Sequence, residues 1–598
     1  MARRLLAVLI CAAALVPAAH AVTTVTSPVY DSHGHLIQTP FVPAASTARL
    51  TKAQALAIVH ANSKVSAWLS RYPKTGFSDE ETYDPTTHQW TVKIFWSKNQ
   101  KVSAGEVVEG TVDDASGSVV SAWTGPQVAW GMLRGVKGAF GGDKINDPWI
   151  WGAFCVAFLI GLGNFRRPLS LRNLDLVMLL SPTASLWYFN HGNVFTAVPL
   201  FYPALVWVIA RGLWIGVTGR GSGSRPLWPT WVLLAATVFA AGFRVGLNVE
   251  ASNVIDVGYS GVIGAERIVS EGRAPWGNFP VEDNRPACGP ADSSGEVRDH
   301  VQTNGRCESA NPEGDTYGPT AYEAYIPGYL AFGWSGKWDT LPAVHFTSIL
   351  FDLLAMVGLF LVGLRFGGAR LAATLAFAWA AYPFTQYASN SNTNDAIMPC
   401  LLIYGFWLAS SPVGRGVFGA LSGWSKFATL IVAPLWATYP DRRPSPRFIA
   451  AFMVTTLAAF SVVLLEPAPL HELHVFWDRT VKWQVGRDSP FSLWDWRQYH
   501  ARGLPNLHLL QRVLQVLLVV AAVVVAFVPR RKSPLQLAAL TAALLAGFEL
   551  VQTYWLYTYI PWFFPFAAIT VLAPAALVRE RRRVEDLDLR TWPLPSPS

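Results

Sequence analysis

The sequence predicts a mainly α-helical protein, a polytopic transmembrane helical domain with a small α+β domain ahead of it. Three observations lead there. The 598 residues are 52% hydrophobic and only 14% charged, against roughly 25% charge in an average soluble protein. Beyond about residue 147 the chain becomes a series of long apolar stretches separated by short basic loops. Ahead of that point, residues 22–140 keep the mixed composition of a globular domain. With 47 Lys+Arg against 39 Asp+Glu, the surplus of eight sits mainly in loops between apolar segments, where positive charge sets topology. That distribution excludes a nucleic-acid reader.

The N-terminus carries an export signal. Arg3 and Arg4 precede an apolar run from Leu5 to Leu15, and Ala19-His20-Ala21 supplies a small-x-small cleavage site. Residues 1–21 therefore read as a secretory signal peptide, with the mature chain expected from about Val22. The domain after it is then expected outside the cytoplasm. Of the five cysteines, Cys11 leaves with the signal, and Cys155 and Cys400 lie in apolar segments as small hydrophobes. Cys288 and Cys307 share a Gly/Pro/Asn-rich loop and read as a disulfide closing it on the extracytoplasmic side.

In the 22–140 domain, Thr51-Lys-Ala-Gln54 forms a capping box before a helical run over Ala53–Leu69. Trp90–Trp96 reads as a strand. Val107–Val112 and Val119–Trp123 flank the turn signal Asp113–Gly117, which predicts a hairpin. A helix followed by a small antiparallel sheet that ends in this Val-Asp-Asp-Ala-Ser-Gly-Ser phrase resembles the PepSY-like modules of exported proteins, over some 75 residues. Metal and nucleophile constellations are missing from this stretch of sequence, so a docking or regulatory role is expected.

The transmembrane domain covers 148–578. Its apolar spans lie near 148–163, 173–190, 194–216, 228–248, 342–364, 369–385, 396–411, 448–465, 510–528, 534–551 and 557–578, against about 20 residues per crossing. Arg166/Arg167/Arg172, Arg220/Arg225, Arg365/Arg370, Arg415, Arg442/Arg443/Arg447, Arg530/Arg531/Lys532 and Arg579–Arg583 then fall on one side, which the positive-inside rule makes cytoplasmic. Parity requires that Gly416–Pro440, with three glycines, Pro434 and Lys426, form a re-entrant or broken-helix hairpin. The prediction is about eleven crossings of the plasma membrane, with the N-terminal domain outside and a cytoplasmic tail at 579–598. Loops 249–341 and 466–508 are the large extracytoplasmic ones. The cytoplasmic loops are short and carry neither a P-loop nor a dinucleotide fingerprint. An activated substrate would have to arrive in the lipid.

Polar residues gather on the outer side. The first large loop opens Asn253-Val-Ile-Asp256-Val-Gly-Tyr259 and ends Pro275-Trp276, resuming as Asp315-Thr-Tyr317-Gly-Pro319 and Tyr322–Pro327. Further phrases are Asn190–Asn193, Asn390-Ser-Asn-Thr-Asn394-Asp395, Gly419–Lys426, and Phe476–Arg479 running to Arg487-Asp488-Ser489 and Trp494. An Asp just past a membrane helix, an amphipathic stretch and a Gly-x-x-Pro-aromatic phrase (Gly272-Arg-Ala-Pro275-Trp276) resemble the GT-C glycosyltransferases, in particular their DUF2029/GT87-like branch. The resemblance spans roughly 185–500. It implies a polyprenyl-phosphate-sugar donor, an extracytoplasmic glycan or lipid acceptor of the cell envelope, and Asp256 as the base. Relative to that branch, the three helices before 228–248 and the N-terminal domain are additions.

The residue types fit the chemistry. Inverting transfer needs a carboxylate within hydrogen-bond reach of the acceptor hydroxyl. Asp315 and Asp395 are the chief alternatives to Asp256, ahead of Glu250, Glu282 and Asp283. The leaving phosphate calls for Arg or Lys, and Arg244, Lys426, Arg479 and Arg487 are candidates. Tyr259, Tyr317, Tyr322, Asn394, Ser489 and Trp494 are candidates for binding sugar or acceptor, with Tyr325 and Trp496 as further stacking surfaces. With 26 Trp in the chain, many must serve as interfacial anchors instead. Asp352, in mid-span, reads as a structural hydrogen-bonding group. His471 and His474 lack a third ligand for zinc. The residues require no cofactor, though a divalent cation held by Asp256 and a second carboxylate is compatible with them. Two other functions compete: a transporter or flippase of lipid-linked saccharides, and a sensor receiving ligand on the N-terminal domain. Polar groups concentrated on one side, with no internal repeat of the broken hairpin, favour the enzyme.

Overall fold

The computed structural model describes residues 29–30, 36–38, 48–85, 87–97, 105–132, 140–221, 228–276, 299–301, 307–309, 317–333, 341–486 and 489–573. The expected signal peptide at 1–21, the tail at 579–598, Cys288, Glu282, Asp283, Asp315 and Arg487 lie outside the described residues. So does the Cys288–Cys307 pairing. The chain divides into two compact units: 1–62 with 79–92 and 110–121, and 63–78 with 93–109 and 122–598.

The N-terminal elements follow from local chemistry. Thr51 and Gln54 form the reciprocal capping box at the start of the Lys52–Ala61 helix. The predicted single helix breaks at Asn62, whose ψ of 128° is extended, and resumes as Ser63–Leu69. Four strands, Phe77–Asp84, Gln89–Trp96, Gly105–Asp113 and Val119–Thr124, pair in sequence order. The first is an addition to the strands expected from the sequence. It is an edge strand with mostly exposed positions, where charge blocks further pairing. The Asp113–Gly117 turn closes as expected, with Ser116 N–H donating to Asp113 Oδ1 at 2.7 Å and Gly117 at φ 69°.

Asp114 ties this first unit together. Its carboxylate accepts from Arg49 N–H at 2.6 Å, Leu50 N–H at 2.8 Å and Trp90 Nε1 at 2.9 Å. Burial pushes the carboxyl up, but these donors outweigh it and hold the group below its ordinary range. The depressed carboxyl therefore contributes stability that is present above pH of about 4 and lost as pH falls. Asp114→Asn is expected to accelerate amide exchange in the Gln89–Trp96 strand at pH 7, and the difference from wild type should shrink in acid. Hydrogen-exchange mass spectrometry reads both.

The remaining described residues are mainly helical, apart from the short strand pairs Val29–Tyr30 with Leu36–Gln38 and Asp299–Val301 with Cys307–Ser309. Among the described residues six helices are long and apolar enough to cross: Val194–Thr218, Thr230–Ala251, Pro342–Ala381, Pro446–Leu465, His508–Phe527 and Pro534–Val551. Within Pro534–Val551, 83% of the apolar window is buried against 17% for Pro446–Leu465, so the former is a core helix and the latter a peripheral one. The 342–364 and 369–385 runs are joined as one 40-residue helical stretch broken at Gly368, which sits at φ 77°. A side chain at Gly363 would overlap the Ala372 backbone, so the two runs fold back on each other just beyond that turn. The 173–190 run is two helices, Leu171–Leu180 and Pro182–Asn190, interrupted where Pro182 cannot donate. The last run is a 3₁₀ segment, Tyr557–Trp562, followed by Phe564–Leu572. Pro148–Leu162 and Ile397–Trp407 are the shorter counterparts of 148–163 and 396–411. Cys155 and Cys400 carry free thiols.

Candidate functional site

Two polar constructions occupy the helical body. The first anchors the Ser389–Asp395 loop. Asn248 Nδ2 donates to Ser389 O at 2.7 Å and to Asn392 Oδ1 at 3.0 Å. Asn392, at φ 50°, donates to Ser252 Oγ and Asn253 O, both at 2.9 Å. A positive φ is tolerated by Asn better than by most residues, and here three acceptor or donor groups hold it. Asn390 reaches Gly141 O at 3.1 Å, while Gly141 N–H donates to Asn253 Oδ1 at 2.7 Å. The asparagines of this phrase therefore work as buried connectors that fix where Asn394 and Asp395 emerge.

The second construction is where they emerge. Asp395, in the 3₁₀ turn Asn394–Ala396, is 2% exposed, and its Oδ1 accepts from Lys426 Nζ at 2.9 Å and Trp562 Nε1 at 3.1 Å. Lys426 owes its position to a helix break. The Pro412–Ser425 helix stops, Lys426 turns extended at φ −146° and ψ 124°, and the chain continues as 3₁₀ Phe427–Val432 and the short helix Ala433–Ala437. Its ammonium stands over Tyr317 at 4.4 Å, Tyr559 at 5.2 Å and Trp562 at 5.3 Å. Tyr559 and Trp562 stack with centroids 4.2 Å apart. A desolvated cation over aromatic faces gains on the order of 2 kcal/mol per good contact. On the Pro534–Val551 helix, Glu549 is 1% exposed, and neither of its carboxylate oxygens has a hydrogen-bond partner among the described residues. The buried Asn394 Oδ1 is without one too.

Trp276 extends the site toward the late loop. Its Nε1 donates to Tyr317 O at 2.8 Å, and its own carbonyl accepts from Arg479 Nη1 at 2.8 Å. Arg267 Nη1 donates to Pro275 O at 3.2 Å. Tyr322 hydroxyl accepts from Tyr317 N–H at 3.1 Å, and its ring fills the space a side chain at Gly264 would need. Glu466 takes Ala274 N–H at 3.0 Å. Burial, then the neighbouring Glu466, raise the Glu472 carboxyl above its ordinary range. Burial alone brings Glu323 up to about 7. Burial and then the Asp395 charge push the Tyr325 hydroxyl up.

The structure thus brings Asp395, Asn394, Lys426, Tyr317, Tyr322 and Arg479 into one linked neighbourhood. Other candidates are placed differently. Asp256 is half-buried at the first turn of the Asp256–Glu266 helix, and its one hydrogen bond among the described residues comes from Val257 N–H at 2.9 Å. Tyr259 is fully buried in the apolar cluster with Tyr325 and Val344. Arg244 does not snorkel to an interface. It is 1% exposed and forks onto Asp352, with Nε 2.9 Å from Oδ2 and Nη2 on Oδ1. Its Nη1 adds Thr385 Oγ1 at 3.2 Å, and Trp379 Nε1 donates to Asp352 Oδ1 at 2.8 Å. Ser489 is buried, its N–H on Asp495 Oδ2 at 2.8 Å. Trp494 and Trp496 are buried with their indole N–H groups on Leu550 O and Pro490 O. No group of three or more metal-ligating side chains occurs among the described residues.

Sequence reasoning missed Glu549, Tyr559, Trp562 and Arg267. A signal existed for Glu549: an ionisable residue inside an apolar run is a functional hypothesis by default. For the two aromatics there was none, because the final apolar run is rich in such rings. In comparisons with known proteins, the chain matches no family model, no curated protein and no solved structure.

Proposed function

We propose that this protein is an inverting membrane glycosyltransferase. It moves a sugar from a polyprenyl-phosphate donor to an extracytoplasmic glycan or lipid acceptor, on a GT-C-like domain of about eleven crossings. The observation that carries this reading is the buried Lys426–Asp395 pair at a helix break, walled by Tyr317, Tyr559 and Trp562. Irregular backbone within an apolar domain is tolerated where it lines a cavity or is buried in protein. A cation there meets the charge that develops on a departing phosphate, and aromatic faces suit a sugar.

In the reaction, Asp256 takes the proton of the acceptor hydroxyl as its oxygen bonds to the anomeric carbon. The bond from that carbon to the phosphate oxygen breaks, and the electron pair leaves with the lipid phosphate, which Lys426 and Arg479 receive. Asp256 is preferred to Asp395 as base because Oδ1 of Asp395 is already occupied by Lys426 and Trp562. Asp256 carries a single hydrogen bond among the described residues.

The test is transfer from radiolabelled polyprenyl-phosphate sugars to extracted envelope acceptors by the purified chain in detergent. Asp256→Asn is expected to lose about 10²–10⁴-fold in rate, the range for a removed general base, while remaining folded. Full activity in that variant would move the base elsewhere. Binding of donor without transfer by wild type would favour a flippase instead.

A further inference from the structure

The 489–502 stretch has little regular structure of its own. Its one helical element is the 3₁₀ turn Trp496–Tyr499, and His500 after it sits at φ 53°. Its shape is therefore set by what it packs against, and it packs on two sides. Toward the helical body, Trp494 Nε1 donates to Leu550 O at 2.8 Å, and the Phe491 ring meets Phe189 at 5.3 Å. The other side faces the N-terminal domain, whose residues 63–78 and 93–109 fold in one compact unit with the helical body. There Tyr499 meets Trp68 at 6.3 Å and His500 meets Trp96 at 5.6 Å. Arg502 N–H donates to Arg71 O at 3.1 Å, and its Nη2 to Ser70 O at 3.4 Å. Those carbonyls lie just past the Ser63–Leu69 helix, where a basic side chain is a favourable cap. Phe195 closes the seam, 5.8 Å from Trp68 and 4.9 Å from Trp496. Trp68 and Tyr499 are both buried, so the seam is a packed interface.

We propose that this part of the N-terminal domain is a brace for the Lys426 site, with Trp68 and Tyr499 as positioning residues. The path between them is packed throughout. Beyond Tyr499, Trp496 Nε1 donates to Pro490 O at 3.1 Å, next to Phe491. Phe189 touches Phe491 with one face and Tyr557 with another, each at 5.3 Å. Tyr557 opens the Tyr557–Trp562 segment. That segment carries two of the rings that wall Lys426, and the indole that donates to Asp395. Phe491, Phe189 and Tyr557 are all buried. At interior packing density a side chain does not shift without its neighbours. Loosening the seam at Trp68 therefore frees the 489–502 stretch and, with it, the support behind Tyr557. The kinetic consequence rests on the donor reading above, while the mechanical one stands without it.

The experiment is hydrogen-exchange mass spectrometry on the full chain in detergent, paired with donor kinetics, for Trp68→Ala and Tyr499→Ala. One variant cuts the seam from the domain side and the other from the loop side, so the test survives if one fails to fold. Both are expected to speed amide exchange over 489–502 and over Tyr557–Trp562, and to leave the Pro446–Leu465 helix at its wild-type rate. Donor KM should rise about 2–30-fold, the span for positions that couple to a site without touching its ligand. A loss of folded molecules alone would lower kcat and leave KM where it was. Faster exchange confined to the N-terminal residues and 496–502 would overturn the brace, and so would an unchanged KM in an active variant. If wild type transfers from no polyprenyl-phosphate donor, the donor reading falls. Faster exchange at Tyr557–Trp562 in either variant would then still establish the brace.

Discussion

Lys426→Met is expected to lower donor-dependent transfer by about 10²–10³-fold, the usual cost of removing one preorganised charge from the leaving-group side. The variant also strands Asp395, which is 2% exposed, so part of the loss could come from misfolding. A second variant separates the two effects. Lys426→Met combined with Asp395→Asn removes both charges, leaves no buried ion unpaired, and should recover the wild-type elution profile and melting temperature. Its transfer rate should stay as low as that of the single variant. Lys426→Arg keeps the charge but not the compact ammonium seated among Tyr317, Tyr559 and Trp562, and should restore part of the rate. Recovery of full activity in the double variant would remove Lys426 from the chemistry.

Arg244→Met should produce the largest loss of stability in the helical body, about 3–5 kcal/mol, because it leaves Asp352 as an uncompensated charge. Asp352 is 3% exposed and also holds Trp379 Nε1, so water cannot replace the guanidinium. Asp352→Leu alone should cost a similar amount by stranding Arg244. The double variant Arg244→Met/Asp352→Leu should recover most of the loss, since an apolar pair of similar volume is often neutral relative to a buried ion pair. Melting in detergent measures each. The double variant is also expected to keep the donor KM, because every polar direction of Arg244 is directed at Asp352, Thr385 and Ala380 O. A raised KM would return Arg244 to the donor site.

Arg244 and Asp352 also mark how far the sequence can be read. Positions of most helices are legible, since an apolar run has one way to satisfy its backbone in lipid. The break at Lys426 is legible too, because glycines, Pro434 and a lone cation in one apolar stretch are incompatible with a plain crossing. Partnership is not. Arg244 and Asp352 are 108 residues apart, and nothing local to either announces the other, so one reads as a phosphate ligand and the other as a structural hydrogen-bonding group whose partner is not named. The Phe77–Asp84 strand is hidden for a different reason. Its side chains mostly face water, so it lacks the alternation that marks a half-buried strand. The asparagine phrase before Asp395 suggests ligand binding, yet Asn390 and Asn392 are consumed in cross-links to Gly141, Ser252 and Asn253. Polarity marks the place; topology decides the duty.

The bond from Trp562 to Asp395 spans 167 residues. During synthesis the Asp395–Lys426 pair must therefore wait, half-built, until the last apolar segments have been made and inserted. Contacts that close so long a loop form late. A nascent chain arrested near residue 530 would already contain Asp395, Lys426 and Tyr317, yet would lack the Tyr559 and Trp562 rings that flank the ammonium. Completion of this buried cluster thereby doubles as a checkpoint on the late part of the polypeptide: a product truncated before Trp562 keeps most of its apolar helices but leaves Asp395 without the indole N–H that it accepts from.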